Sequence, residues 1–185
     1  MKIKTMTMVS ALLLAQSTMA AEERGYGQVG LSSFATVVAT NIDGADNDEL
    51  VGLGIFGDFA ATDNFGARTT YARLEHNDTS DIEADVFELS VLGGTGLATQ
   101  GFKAYGSVGF FDENWEFDTF RGDFEEDFNG IMGGAGLGYN WRYVGLDLSF
   151  NLRDPSDYED FIEETTLIDG DVVAVSASLG IAARF

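Results

Sequence analysis

The sequence predicts an all-β protein: an eight-stranded antiparallel up-and-down transmembrane β-barrel. Three observations carry that expectation. Apolar residues recur at every second position in eight segments of about ten residues each. The opposite face of those segments is mostly Gly, Ser and Thr, with a few charges of both signs. The connections between the segments alternate between short and long.

The first residues read as an address. Lys2 and Lys4 form a short positive region, "MTMVSALLLAQ" follows as an apolar stretch, and "STMA-AEER" supplies small residues at a cleavage point. This predicts a secretory signal peptide over 1–20, cut after Ala20 or at the neighbouring Ala21. The apolar stretch is too short for a membrane-spanning helix, which needs ~20 residues. Residues 21–185 then form one exported domain. Losing Lys2 and Lys4 takes the net charge from −21 to −23. Such acidity excludes nucleic acid, whose phosphates require Lys and Arg. The chain has no cysteine and so no disulfide framework.

The segments follow in order. "GQVGLSSFATVVAT" (Gly27–Thr40) alternates imperfectly, and the ambiguous phase at Ser33 and Phe34 predicts a bulge. Leu50–Ala61 sets Val51, Leu53, Ile55 and Phe59 against Gly52, Gly54, Phe56 and Asp58. Phe65–Glu75 sets Phe65, Ala67, Thr69 and Tyr71 against Gly66, Arg68 and Thr70. Glu83–Gly93 sets Phe87, Leu89 and Val91 against Glu88 and Ser90. Gly101–Phe111 sets Phe102, Ala104, Val108 and Phe110 against Lys103, Tyr105 and Ser107. Gly130–Trp141 sets Ile131, Ala135, Leu137, Tyr139 and Trp141 against three glycines. Tyr143–Arg153 is the cleanest, with Val144, Leu146, Leu148, Phe150 and Leu152 alternating against Asp147, Ser149, Asn151 and Arg153. Val172–Phe185 is the eighth.

A wetted sheet face carries many Lys and Glu, whereas a narrow lumen takes small residues and a few charges that can pair. The polar set here fits the lumen, and the apolar set then faces lipid. Strands in lipid must satisfy every backbone group, so the sheet closes. Thr62–Asn64, Gly93–Gln100 and Asn140–Arg142 are the short or Gly-rich turns. Asn41–Glu49, His76–Asp81, Asp112–Asn129 and Asp154–Asp171 are the acidic connections, the last two long. Phe59, Phe65, Phe102, Tyr139, Trp141, Tyr143 and Phe185 flank the short turns as one aromatic girdle. Tyr71, Phe87, Phe110 and Phe150 sit near the opposite ends as a second. An even strand count puts both termini on one side, that of the short turns.

The last strand, "VVAVSASLGIAARF", ends on Phe185 after alternating apolar positions. It resembles the C-terminal recognition signal of bacterial outer-membrane proteins, and the whole pattern is similar to small OmpA/OmpX-type eight-stranded barrels. The resemblance implies Sec-type export to the bacterial outer membrane, periplasmic termini, and contact with outer-membrane lipid and lipopolysaccharide. It also implies that the outer-membrane assembly machinery reads the strand ending in Phe185.

Chemistry is sparse. Some small outer-membrane barrels are lipid-modifying enzymes using a histidine near the outer rim. The single histidine, His76, has Asp78, Thr79, Ser80 and Asp81 nearby, but these are also ordinary loop residues. "LGGTGLATQG" and "GIMGGAGLGYN" lack the Lys-Ser/Thr of a P-loop. Asp112–Asp127 holds eight acids and one base, and Asp154–Asp171 eight acids and no base. That density admits Ca²⁺ or Mg²⁺ ligation, yet no EF-hand spacing is present, and a solvated surface is the simpler reading. Trp115, Phe117, Phe120, Phe124, Tyr158 and Phe161 lie among the acids, so loops 112–129 and 154–171 pack on themselves or meet a surface partner. Asp58, Arg68, Glu88, Lys103, Asp147 and Arg153 are the lumen ion-pair candidates, with Arg68 and Glu88 on adjacent strands and Lys103 and Asp147 as partners elsewhere. No cofactor or metal centre is expected. The sequence favours a non-enzymatic envelope or surface-contact role, with a narrow passive channel as the alternative and a lipid-modifying enzyme third.

Overall fold

The computed structural model describes residues 25–40, 48–76, 82–117, 124–159 and 172–185. The predicted leader lies outside them, as do 41–47, 77–81, 118–123 and 160–171 of the acidic connections. The strands are β1 (Gly27–Thr40), β2 (Asp48–Ala60), β3 (Phe65–His76), β4 (Ile82–Thr95), β5 (Gly101–Phe117), β6 (Phe124–Asn140), β7 (Val144–Arg153) and β8 (Val172–Arg184). Each pairs antiparallel with its sequence neighbours, and β8 returns to β1 to close the barrel. The eight-stranded fold expected from the alternation is the one observed.

Closure fixes the tilt. The ladder from Gln28 runs through Asp58, Arg68, Ser90, Gly109, Met132, Arg153 and Ala174 and comes back to β1 at Val38, ten residues along. Eight strands with that stagger tilt by roughly 40° and leave an interior that side chains can fill.

Two expectations change. β1 carries no bulge: its register runs unbroken against both β2 and β8. Phe34 and Val38 point inward with Gln28, Ser32 and Thr36, which is why the apolar pattern lost its phase. The segment 112–129 is also mostly not a loop. Asp112–Phe117 of β5 pairs with Phe124–Asn129 of β6, so the hairpin continues the barrel wall.

The reason is a switch of polarity along the axis. Through the lower and middle wall the outward residues are apolar, such as Leu31, Leu53, Val91 and Ile181, and the inward ones are largely polar, with a small cluster of Ala60, Leu92, Leu97, Ala98 and Tyr105 at the turn end. Near the long connections the outward residues are Glu49, Glu75, Asp112, Glu116 and Asp127, all exposed. There the inward ones are apolar: Phe34, Val38, Leu50, Leu74, Val86, Phe111, Trp115, Phe128 and Val172 form one core. The backbone period of two never breaks; the apolar set moves from one face to the other.

The short turns are locally specified. The Thr62 hydroxyl accepts N–H bonds from Asn64 (3.1 Å) and Phe65 (3.0 Å). The β4–β5 turn needs glycine, since Gly96 and Gly101 have φ of 74° and 118°.

Candidate functional site: a filled lumen and an outer surface

The lumen is occupied in tiers. At the end bearing the short turns, the β4–β5 turn folds across the mouth and buries Leu97 and Ala98. Arg184 fastens it, donating to the carbonyls of Ala98 (2.7 Å), Thr99 (3.3 Å) and Trp141 (2.6 Å). Asn140 donates to Gly96 and Thr99 carbonyls, and Gln28 donates to Asn140. From outside, Asp63 takes N–H bonds from Gly96, Ala98 and Thr99 and the Thr99 hydroxyl.

Above this lies a balanced ionic tier. Arg68 donates through Nε and Nη2 to Asp58 at 2.6 and 2.7 Å, and through Nη1 to Asp147 at 2.7 Å and the Tyr105 hydroxyl at 2.6 Å. Tyr105 donates to Asp147 at 2.7 Å, and Lys103 Nζ lies 2.6 Å from Asp147. The aromatic rings of Phe56 and Tyr105 flank Arg68 at 5.0 and 5.2 Å. Lumen glycines make room for those rings. A Cβ on Gly136 would sit 2.2 Å from Tyr105, and one on Gly180 would sit 2.5 Å from Phe56. The glycines at this level therefore make room for rings.

A second ionic tier follows. Arg153 donates to Glu88 at 2.9 Å and pairs with Glu113. Ser176 donates to Glu88, and Trp115 and Tyr158 donate to Glu113. The apolar core closes over these groups. Tyr158 belongs to a helical turn, residues 156–159, and is buried in the mouth with its ring stacked 4.5 Å from Phe128. Burial pushes the Tyr158 phenol well above its ordinary range, helped by the adjacent Glu113 carboxylate, so it stays neutral.

The six charges singled out in the sequence all face the lumen, and Lys103 meets Asp147 as expected, but Arg68 and Glu88 find other partners. Arg68 does not meet Glu88. Register places Asp58 directly beside Arg68, and Glu88 reaches Arg153 on β7 instead. Glu113 and Tyr158 were missed because both sat in stretches read as loop. The signal for Glu113 is the phase switch itself: in "FFDENWEF" the apolar residues move to the odd positions Phe111 and Trp115, whereas Tyr158 sits in the 156–159 helical turn, outside any strand alternation. His76 ends β3 opposite Leu50, and Asp78–Asp81 lie outside the described residues. Among the described residues, no group of three or more ligating side chains could hold a metal ion.

On the outside, the seven girdle aromatics are exposed around the turn end; Tyr139 and Trp141 pack at 4.7 Å. Phe185 pairs through both backbone groups with Gly27, and its ring covers that glycine.

A closed barrel with a lipid-facing apolar band, an aromatic belt and a polar interior defines an integral outer-membrane β-barrel protein. The chain belongs to the family described as outer membrane protein beta-barrel domain, whose model matches residues 6–185. It is similar in fold to Neisserial surface protein A, with 13% identity, 89% of this chain and 100% of that one covered, and a TM-score of 0.63. The attachment invasion locus protein Ail of Yersinia pestis gives 17% identity, 86% and 99% coverage, and a TM-score of 0.56. The N-terminal barrel of Pseudomonas aeruginosa OprF gives 16% identity, 88% and 99% coverage, and a TM-score of 0.56. No curated protein sequence matches the chain.

Proposed function

We propose that this protein is a non-enzymatic, non-conducting barrel of the bacterial outer membrane, with periplasmic termini and an outer end built for surface contact. The observation that carries the proposal is the lumen, filled from the Arg184 latch to the Tyr158 stopper. A pore needs a continuous wet path, and two ionic tiers with an apolar cap leave none. The outer end supports the second half of the reading. Its wall is stiffened by the β5–β6 ladder and presents Asp112, Glu116 and Asp127 to solvent. A rigid charged face meets a partner without first having to be ordered, which favours contact.

The test uses one detergent preparation. Heat-modifiable gel mobility reports the closed barrel, and planar-bilayer recording reports conduction. Folded protein with no steady conductance is expected; a stable open channel overturns the sealed-lumen reading. Surface contact is tested with Glu116→Lys combined with Asp127→Lys, because deleting 112–129 would also remove Glu113, Trp115 and Phe128 from the interior. Reduced adhesion of cells displaying the double variant is expected. Adhesion equal to that of the unaltered protein overturns the role of this face.

A further inference from the structure

We propose that the β4–β5 turn is a plug seated by the closing seam of the barrel, so that shutting the β1–β8 seam and sealing the lower mouth are one event. The lowest rung of that seam pairs Gln28 with Arg184. Both side chains are buried inside the barrel, and both reach the turn. Arg184 reaches it directly, through the carbonyls of Ala98 and Thr99. Gln28 reaches it through Asn140, whose amide donates to the Gly96 and Thr99 carbonyls. A third arm comes from Gly25, two residues before β1. Its N–H donates at 3.0 Å to the same Ala98 oxygen that takes Arg184 Nη2 at 2.7 Å. One carbonyl in the middle of the chain is therefore held from both sides of the seam. Gly25 fits against the guanidinium because it has no Cβ, which would lie 3.3 Å from Arg184 Cζ.

The anchors on the other flank do not cross the seam. Asp63 and Asn64, between β2 and β3, hold the N–H groups of Gly96, Ala98 and Thr99 and the Gly94 carbonyl. They tether the turn to its own half of the wall whether or not β8 has met β1. The rung adds the inner grips, and with them Leu97 and Ala98 reach 4% and 1% exposure. Arg184 suits this task. It is buried and has no ion-pair partner among the described residues, so its donors go to carbonyls. Its planar fork spans two turns at once, at Ala98–Thr99 and at Trp141, which the single point charge of a lysine could not do. Plug and rung each stabilise the other, so the coupling is reciprocal: unseating the turn loosens the rung, and opening the rung unseats the turn.

The inference needs the closed barrel and does not depend on the surface-contact role. The chain has no cysteine, so Ala98→Cys supplies a single reporter. In the full chain folded in detergent micelles, this buried thiol should react slowly with a water-soluble maleimide. Adding Arg184→Met removes the charge-assisted bonds to the turn and should raise the labelling rate roughly tenfold, with heat-modifiable mobility retained. The reverse direction is read at the seam. Leu97→Ala weakens the plug's apolar anchor and alters no seam residue. It should speed amide hydrogen exchange at Gly27 and Phe185, which bond to each other at the foot of the seam, and leave Val37 near its top unchanged. If Arg184→Met does not fold, Leu97→Ala carries the test alone. A labelling rate unaffected by Arg184→Met overturns the proposal. So does exchange at Gly27 and Phe185 that Leu97→Ala leaves unaltered, since Arg184 would then support the turn with no link to seam closure.

Discussion

The barrel near the short turns and the barrel near the long connections share one unbroken ladder yet are built inside out with respect to each other. In the first, Leu53, Val91, Leu148 and Ile181 face outward around Asp58, Arg68, Lys103 and Asp147. In the second, Glu75, Asp112 and Glu116 face outward around Leu74, Phe111 and Phe128. The difference teaches that solvent, and not the sheet, assigns the two faces. Where hydrocarbon bathes the wall, the hydrophobic effect offers no reason to bury Leu, and polar groups collect inside. Where water bathes it, burying Phe and Val is favourable again, at about 25 cal/mol per Å². The level of the switch therefore marks where the protein leaves the membrane.

The largest way to break the comparison is to unbalance the polar interior. Arg68→Ala leaves Asp58 and Asp147 with only Lys103 between them, away from bulk water. A loss of about 3–5 kcal/mol is expected from urea unfolding in phospholipid vesicles. Arg73→Ala is the matched control on the outer surface. That side chain is 61% exposed and, among the described residues, pairs with Glu83, so the expected loss is under about 1 kcal/mol. Comparable losses at the two sites would mean that the Arg68 tier is wet.

A smaller effect sharpens the boundary from outside. Leu148→Arg places a charge on the lipid-facing band and should cost about 2–4 kcal/mol in vesicles. Glu116→Arg, on the same outward face but beyond the switch, should change stability by less than about 0.5 kcal/mol. A series of single Arg substitutions down the outward face of β5 should show the cost appearing between Asp112 and Phe110. A cost already present at Glu116 would place the membrane edge higher than the switch.

Much of this was legible in the sequence wherever one solvent applied along a whole segment. β7 alternates without exception because Val144–Arg153 never leaves the band, and its inward set is read directly from the residues. Reading failed at the crossing. Phe34 looked like a phase error, and Glu113, Trp115 and Phe128 looked like loop, because the alternation was sought with a fixed apolar face. The Lys103–Asp147 pair was legible, but the partners of Arg68 and Glu88 were not, for a different reason. The stagger of ten residues carries Glu88 across the lumen to Arg153 and sets Arg68 beside Asp58, and sequence spacing alone does not contain that offset. The Arg184 latch was hidden too, since its acceptors are backbone carbonyls with no side-chain signature.

The smallest expected effect tests whether the turn end is held as a unit. Burial acts to push Asp63 up, but the Thr99 hydroxyl and the N–H groups of Thr99, Gly96 and Ala98 all donate to its charged form. Together they win and hold it below its ordinary value of 3.8. A carboxyl depressed on folding stabilises the folded state at pH values above that ordinary value. The contribution is lost as pH falls through the lower, folded value. Asp63 is largely wetted, so the amount is below about 1 kcal/mol. Asp63→Asn should therefore cost stability at neutral pH and almost nothing under strong acid, so the gap between the two proteins closes as carboxylates protonate. A gap that stays constant with pH would mean that Asp63 supports the β4–β5 turn through shape alone and that its charge plays no part in closing the lower mouth.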